Sequence, residues 1–580
     1  MHIDIVPNRS SRPAILLRES YRENGKVKKR TLANLSALSI EEAHKLRAVL
    51  KGSSVSEARI EDAIEVIKTT PHGHVAAVLG SLTKLGIPGL LGRGDTPERR
   101  NALALIAGRI LSPGSKLALS RHLTGAASTL AGELDLDGDL TEQDLYAAMR
   151  WLLPRQERIE KRLADRHLAE GSVILYDLSC SYYEGSHCPL AKRGHNRDKK
   201  AGKTQINYGV LTDVHGCPVS VEVYPGNTAD PSTVGDQLRK LRDKFGIQRA
   251  IVVGDRGMLT SARLETAAED ETLDDYGWIS ALRSDGVKKL LRVGDLQPEF
   301  FDQRQLAEIE SDAFPEERLV VCRNPHLAAE RTRKRDELLA ATDVALEKIT
   351  AATTRERAPY RGKDKIARRV EREAAKYKML KHYELTITED SLTWSRKEDA
   401  IVAEASLDGF YVVRARNIDR EEMDSAALVE TYKSLSGVER VFRMLKTTSL
   451  EVRPIFHRDS DMVRAHIFLC LLAAHVQWHM ERDLKEILFG DQDLVGQKAS
   501  RKNPVVRTER SEKAERKAAE KETNDGHPVH SFRSLLENLA SLGRVTMKAK
   551  IPGSAPFTGH AKATPLQAKT FELLGLVPPV

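Results

Sequence analysis

Five strand-length apolar runs, 173–178, 206–211, 219–224, 250–254 and 277–282, constrain this chain more than anything else in it. A single helical run, 232–245, sits between the third and the fourth. Three adjacent strands followed by a helical crossover to a fourth describe a mixed sheet with a helix on its face. Two of the runs lead straight into a carboxylate: "VILYDLSCSYYEG" (173–185) carries Asp177 and "AIVVGDRG" (250–257) carries Asp255. In open α/β sheets ligands gather outside the carboxyl ends of the strands. If these two strands lie side by side and parallel, both carboxylates share one edge. Two acids that close repel, and they need a shared proton or divalent cations. Mg²⁺ prefers oxygen ligands, and a pair of such ions serves in-line phosphoryl displacement. Taken singly, each Asp is first of all a turn former or a helix N-cap, and Asp255 ahead of "TSARLETAAE" suits that role.

A third acid shifts the balance. In "TYKSLSGVERVFRMLKT" (431–447), read as one helix, Tyr432, Glu439, Arg443 and Lys446 fall on one stripe. Val438, Val441, Phe442 and Leu445 form the adjoining apolar face. A helix docked on the sheet by that face aims Glu439 at the strand edge. The alternative is a plain Glu439–Arg443 ion pair at i,i+4, and spacing alone leaves both open.

Around this centre the texture varies. The segment 13–36 reads as a hairpin turning at Asn24-Gly25, the preferred turn dipeptide. Residues 56–168 read as helical, with Thr141 as an N-cap and Arg99, Arg100, Arg109, Lys116 and Arg121 interleaved. That block is a DNA-binding module or a plain bundle with solvated charges. Residues 286–418 hold short strands around a long charged helical run, 330–381, and 501–526 is charge-dense and apolar-poor, expected to be flexible. The boundaries expected are a hairpin region at 1–55, a helical domain at 56–168, the sheet at 169–285, an insertion at 286–418, closing helices at 419–490 and a flexible linker and tail at 491–580.

Composition sets outer limits. The net charge of +8 favours a polyanionic partner. The longest apolar run, 467–476, is about half the length a membrane span needs, and the N-terminus lacks an apolar signal core, so a cytoplasmic protein without a membrane partner is expected. Five scattered cysteines without a CxxC pair argue against a zinc site and against a disulfide framework. His187, Cys188 and His195 lie close together without a recognised metal spacing. Asp213, in a turn, and Asp230, before a proline, have structural reasons to be where they are.

On these residues the chain resembles DDE-type bacterial insertion-sequence transposases, in particular the group with a β-rich insertion before the last catalytic helix. That group's signature is Tyr, two residues, Arg, three residues, Glu, six residues, Lys. Tyr432, Glu439 and Lys446 match it, while Leu435 stands at the Arg position. "YDLSCSYYEG" and "VVGDRGM" match the two Asp motifs, and the stretch 194–233 resembles the basic loop and strands between them. The resemblance implies an α/β, ribonuclease H-like mixed sheet with flanking helices. It implies Asp177, Asp255 and Glu439 as catalytic residues holding two Mg²⁺ (or Mn²⁺) ions. The chemistry it implies is cleavage at the element's terminal inverted repeats, followed by attack of the freed 3′-hydroxyl on target DNA. DNA contacts would come from Tyr432, Arg443 and Lys446 and from Lys192, Arg193, Arg197 and Lys203 of the basic loop, with Trp394 stacking a flipped base. Double-stranded DNA is then the partner, the nucleoid the place of work, and a homodimer the assembly that cuts two ends together. A catalytically decayed DNA-binding relative and a structure-specific nuclease without strand transfer are the competing readings.

Overall fold

A computed structural model describes the chain apart from residues 9–10, 24–25, 52–62, 125–126, 137, 259–275, 302–303, 448, 494–495, 498–502, 507 and 552. The turn at Asn24-Gly25 and the stretch after Asp255 read as helical therefore lie outside the described residues. The flanks of that turn are strands. β1 (His2–Val6), β2 (Ala14–Glu23) and β3 (Lys26–Asn34) form an antiparallel sheet in that order. The helix Ile40–Leu50, closed by a Ser39/Glu42 capping box, packs beside it.

Among the described residues, the region expected to be helical begins with a strand, β4 (Ile64–Pro71), before the helices Gly73–Lys84, Pro97–Leu111, Lys116–Thr124, Glu142–Leu152 and Gln156–His167. Thr141 caps the fourth of these, as its sequence predicts. The helix Pro97–Leu111 is buried all round from Asn101 to Ile110, which places it at the centre of a bundle rather than on a surface. Two of the interleaved basic residues are therefore not on a free face. Arg109 and Lys116 are buried, the first donating to the Leu450 carbonyl at 3.4 Å and the second 3.1 Å from His466 Nδ1. Arg99 donates to the Pro88 carbonyl, while Arg121 is exposed.

The central sheet has eight strands. β5 (Val173–Tyr182), β6 (Gln205–Asp213) and β7 (Pro218–Pro225) form an antiparallel meander. The helix Val234–Arg239, prolonged by a wider turn over Lys240–Lys244, crosses over to β8 (Ile251–Gly254), which runs parallel to β5. β9 (Gly277–Ala281) pairs parallel with β8. Beyond it the expected separate insertion is only half separate. β10 (Leu306–Ile309), β11 (Arg318–Arg323) and β14 (Phe410–Arg416) continue the same sheet, giving the order β10-β11-β14-β9-β8-β5-β6-β7. β11 and β14 are buried through their centres, and pairing with β9 satisfies backbone groups that an isolated insertion would leave open. A small satellite core remains around Leu339, Leu346, Ile349, Ile366 and Val370. It is built from the helices Pro325–Thr353 and Lys363–Glu373 and the hairpin β12 (Tyr383–Ile387)–β13 (Leu392–Arg396).

After the sheet come the helices Ser425–Lys433, Ser436–Lys446 and Ser460–Asp483. The last is buried along most of its length and packs on β7 and on the helix Pro97–Leu111, so one core joins the N-terminal bundle to the sheet. The segment expected to be a flexible tail carries regular structure among its described residues. It contains the helices Glu512–Glu520, Phe532–Ala540 and Pro565–Leu573, and two strands, β15 (Gly543–Ala549) and β16 (Phe557–His560). β15 pairs with β4, and Leu535, Leu539, Leu542 and Phe571 are buried in the main core. The charge run at 501–526 masked apolar residues further on whose partners lie hundreds of positions away. Among the described residues no single helix is long and apolar enough to cross a membrane.

Candidate active site

β5 and β8 are in parallel register with Tyr176 opposite Gly254, so Asp177 and Asp255 follow as the next step along both strands. Alternation along β5 puts Leu175 and Asp177 on one face and Tyr176 on the other. The Tyr176 face meets the crossover helix, its hydroxyl donating to Thr233 Oγ1 at 2.9 Å. The Leu175 face lies under the helix Ser436–Lys446, where a Cβ on Gly437 would sit 3.5 Å from Leu175 Cδ1. Glu439 stands in the first turn of that helix.

The helix approaches the sheet closely because both contacting positions are glycines. A Cβ on Gly216, in the β6–β7 turn at φ +83°, would lie 2.8 Å from the Gly437 Cα. Only Gly adopts that backbone freely and leaves that gap. Val438, Val441, Phe442 and Leu445 are buried, as the apolar stripe predicts. The expected single helix is two, however. The chain tightens at Ser434-Leu435, with Ser434 Oγ donating to the Thr431 carbonyl at 2.6 Å and the Gly437 N–H to the Ser434 carbonyl at 2.7 Å. Tyr432 therefore ends one helix and Glu439 begins the next.

The charges report the convergence. Burial pushes the Asp177 carboxyl up to about 7, its Leu178 N–H bond at 2.8 Å pulls the other way, and the charges of Asp255 and Glu439 push it up further. Burial also lifts the Tyr432 phenol to about 12, with Asp255, Glu439 and Asp177 adding to the rise and Arg256 opposing it. Three carboxylates and a phenol thus share one field. Such like-charge crowding is the condition a divalent cation relieves, and an all-oxygen donor set suits a hard ion.

The basic loop is bound into the same site from its far side. The Asp198 side chain, 2% exposed, accepts from the Tyr182 N–H at 3.1 Å, from Lys446 Nζ at 3.1 Å and from Arg453 at 2.5 Å. Lys446 is consequently not the exposed cation that the helix stripe suggested. Its side chain is 12% exposed and burial lowers its pKa, because the stripe shows a face but not the loop that covers it. Arg197 pairs with Asp230, keeps a buried Nη1 without a partner among the described residues, and pulls the Asp177 pKa down. Asp230 is nearer the acids than its place before a proline implied: a Cβ on Gly257 would lie 3.8 Å from Asp255 Oδ2 and 4.0 Å from Asp230 Oδ2. Lys192, Arg193 and Lys203 are exposed on the loop, Lys203 facing Glu184 at 3.3 Å, and Arg443 is exposed one turn past Glu439. Leu435 is buried in the core, while Arg440 is exposed. Trp394 stands apart from the acids, packed in the satellite core with its ring 5.8 Å from that of Tyr383.

Local patterns did not point to the cleft beside Arg256. It holds about 500 Å³ and is lined by Arg256, Lys288, Arg331, Lys334 and Lys381 among others. Arg331 and Lys334 project from the long helix Pro325–Thr353, whose basic run was visible in the sequence but not its neighbour. The only pointer was Arg256 itself, directly after Asp255.

Residues 169–475 match the model of the transposase DDE domain. The chain belongs to the DDE-domain transposases. Residues 3–63 match the IS1634 family transposase N-terminal domain, so the β1–β3 region is a family element of its own. No curated protein matches the transposase chain. A solved structure titled as the cryo-EM structure of the piggyBac transposase synaptic complex with hairpin DNA is similar at 10% identity, covering 83% of this chain and 81% of that one, with a TM-score of 0.34.

Proposed function

We propose that this transposase cuts and joins the ends of its own insertion sequence by metal-dependent phosphoryl transfer, with Asp177, Asp255 and Glu439 as the catalytic acids. The observation that carries the reading is the mutual field of the three: burial and two like charges lift Asp177 to about 7. The sheet order β9-β8-β5-β6-β7, with its acid-bearing face under the Glu439 helix, supports a ribonuclease H-like reading of the core. The three carboxylates would hold two divalent ions, Mg²⁺ or Mn²⁺. When bound, these ions neutralise the acids and supply Lewis-acid charge at the attacking and leaving oxygens.

The chain's own residues do the rest. Tyr432, kept protonated by burial and by the neighbouring carboxylates, donates its hydroxyl hydrogen to DNA at the cut. Arg256, Lys288, Arg331 and Lys334 line a cleft that leads away from Asp255 and neutralise a strand's phosphates there. Lys192, Arg193 and Arg443 extend that positive surface, and Arg197 positions Asp230 and tempers Asp177. Lys446 acts through Asp198, holding the basic loop against the Glu439 helix. Trp394 is left to the satellite core. No side chain is needed as a nucleophile, because water and then a DNA 3′-hydroxyl attack. Two ends cut together call for at least a dimer on DNA.

The test uses a duplex carrying the terminal repeat that flanks the gene. Strand cleavage and joining should require Mg²⁺ or Mn²⁺ and vanish in Asp255→Ala, while binding of the duplex persists. Cleavage in excess EDTA, or by Asp255→Ala, would overturn the reading.

A further inference from the structure

A second group of side chains, which the cleavage chemistry does not use, converges behind the β6–β7 turn. His167 ends the helix Gln156–His167, Cys217 precedes β7, and His475 and His479 lie one turn apart on the helix Ser460–Asp483. One ligand-type atom from each lies within 4.8 Å of all the others. Cys217 Sγ is 3.6 Å from His475 Nδ1, 3.6 Å from His479 Nε2 and 4.0 Å from His167 Nε2. In a tetrahedral zinc site, with Zn–S of about 2.3 Å and Zn–N of about 2.0–2.1 Å, the sulfur-to-nitrogen edge is about 3.6 Å. The Cys217 edges to His475 and His479 have that length, and the edge to His167 is longer, at 4.0 Å.

Hydrogen bonding alone accounts for it poorly. A thiol has one hydrogen to give and three imidazoles stand around it, whereas one cation satisfies all of them at once. Polar groups of the kind that flank zinc ligands stand beside two of the four. Asp213 Oδ2 lies 3.8 Å from His167 Nδ1, and Asp213 is itself held by the His215 and Cys217 N–H groups at 2.9 and 2.8 Å. His475 Nδ1 lies 2.9 Å from the Pro218 carbonyl as well as 3.6 Å from Cys217 Sγ, so an ion bound at that nitrogen would take the place of the hydrogen it shares with the carbonyl. Cys217, His475 and His479 are buried, and four protein ligands leave no open position, the mark of a structural rather than a catalytic site.

We infer that His167, Cys217, His475 and His479 bind one zinc ion, which clips the N-terminal bundle, the β6–β7 turn and the helix Ser460–Asp483 together. The clip bears on cleavage through position alone. Gly216 of the clipped turn is the residue against which Gly437 and the Glu439 helix rest. Chain separation hid the site: its ligands come from three distant segments with no CxxC among them, and only the His475/His479 pair at i,i+4 left a local trace.

The test is the metal content of the full-length chain, expressed with zinc and purified without a chelating resin. About one zinc per chain is expected. It should be lost in Cys217→Ser and in His475→Gln/His479→Gln, and kept in Asp255→Ala, which separates this site from the catalytic acids. Cobalt-loaded wild-type protein should show a thiolate-to-cobalt absorption band that Cys217→Ser lacks, and a strong chelator should lower the Tm of the wild type but not of Cys217→Ser. If the variants fail to fold, the wild-type cobalt spectrum decides alone. Folded wild type without zinc and with a Tm that zinc leaves unchanged overturns the inference. So does a cobalt form with no thiolate band, or a Cys217→Ser/His479→Gln protein with full zinc content.

Discussion

Glu160 and Asp177 are two acids packed against the same sheet, and the molecule treats them oppositely. Glu160, fully buried against β7, accepts from Ser220 Oγ at 2.9 Å, the Val221 N–H at 3.0 Å and Gln156 Nε2 at 2.9 Å, and pairs with Lys240 at 2.7 Å. Burial pulls the Lys240 pKa down, yet Glu160 and Glu222 together hold it above its ordinary value. Asp177, on the other hand, has one N–H from Leu178, a tempering Arg197, and two carboxylates for company. A compensated buried acid ties elements together, whereas an under-compensated one stores electrostatic tension that a cation or a proton relieves. The difference teaches where to look for chemistry: not at the most buried charge, but at the one whose neighbours share its sign.

The comparison can be broken, starting with the largest effect. Asp177→Ala, Asp255→Ala and Glu439→Ala should each abolish cleavage of end-containing DNA while duplex binding persists. A gel assay of cleavage beside a binding titration checks it, and a variant that cuts at the wild-type rate removes its acid from the site. Glu160→Ala should leave Lys240 buried without its closest partner and cost roughly 3–5 kcal/mol of stability. Denaturant unfolding measures it, and Asp177→Asn in the same assay should be neutral or stabilising. Equal losses from the two variants would erase the distinction between them.

Lys446→Ala separates positioning from direct contact. With Asp198 nearly buried, removing its Lys446 partner should cost about 1–3 kcal/mol, and the salt dependence of DNA binding should hardly change. A drop of about one in the salt slope without loss of stability would instead make Lys446 a phosphate contact.

The smallest effect is a pH dependence. The Asp177 carboxyl rises from its ordinary 3.8 to about 7 on folding, so between these values the folded chain holds a proton that the unfolded chain has released. Its contribution to stability therefore falls as pH rises from about 4 to about 7. Thermal unfolding in EDTA across that range should show a decline that Asp177→Asn flattens.

Much of this site was legible in the residues. The strands β5 to β9, the N-cap at Thr141 and the apolar stripe Val438–Leu445 are local patterns, and they formed where the periodicity placed them. The acids were legible because Asp255 follows β8, Glu439 opens a helix and Asp177 follows four apolar residues of β5, although that strand itself runs on to Tyr182. The burial of Lys446 and the pairing of Asp230 were not legible, because their partners, Asp198 and Arg197, belong to another segment. The tail was misjudged because its charge run is local and its strand partner is not.

The order and type of the core elements, the three acids and the basic balance were therefore properties of the sequence by itself, since side-chain periodicity and turn chemistry act between neighbours in the chain. Tertiary structure alone decided that β10, β11 and β14 extend the central sheet, that β4 and β15 join the two ends of the chain, and that Arg109 and Lys116 are buried. It also decided that Cys217 meets three histidines. Those outcomes depend on which distant segments exclude water together, and burial of that kind is a sum over contacts that no short window of residues contains.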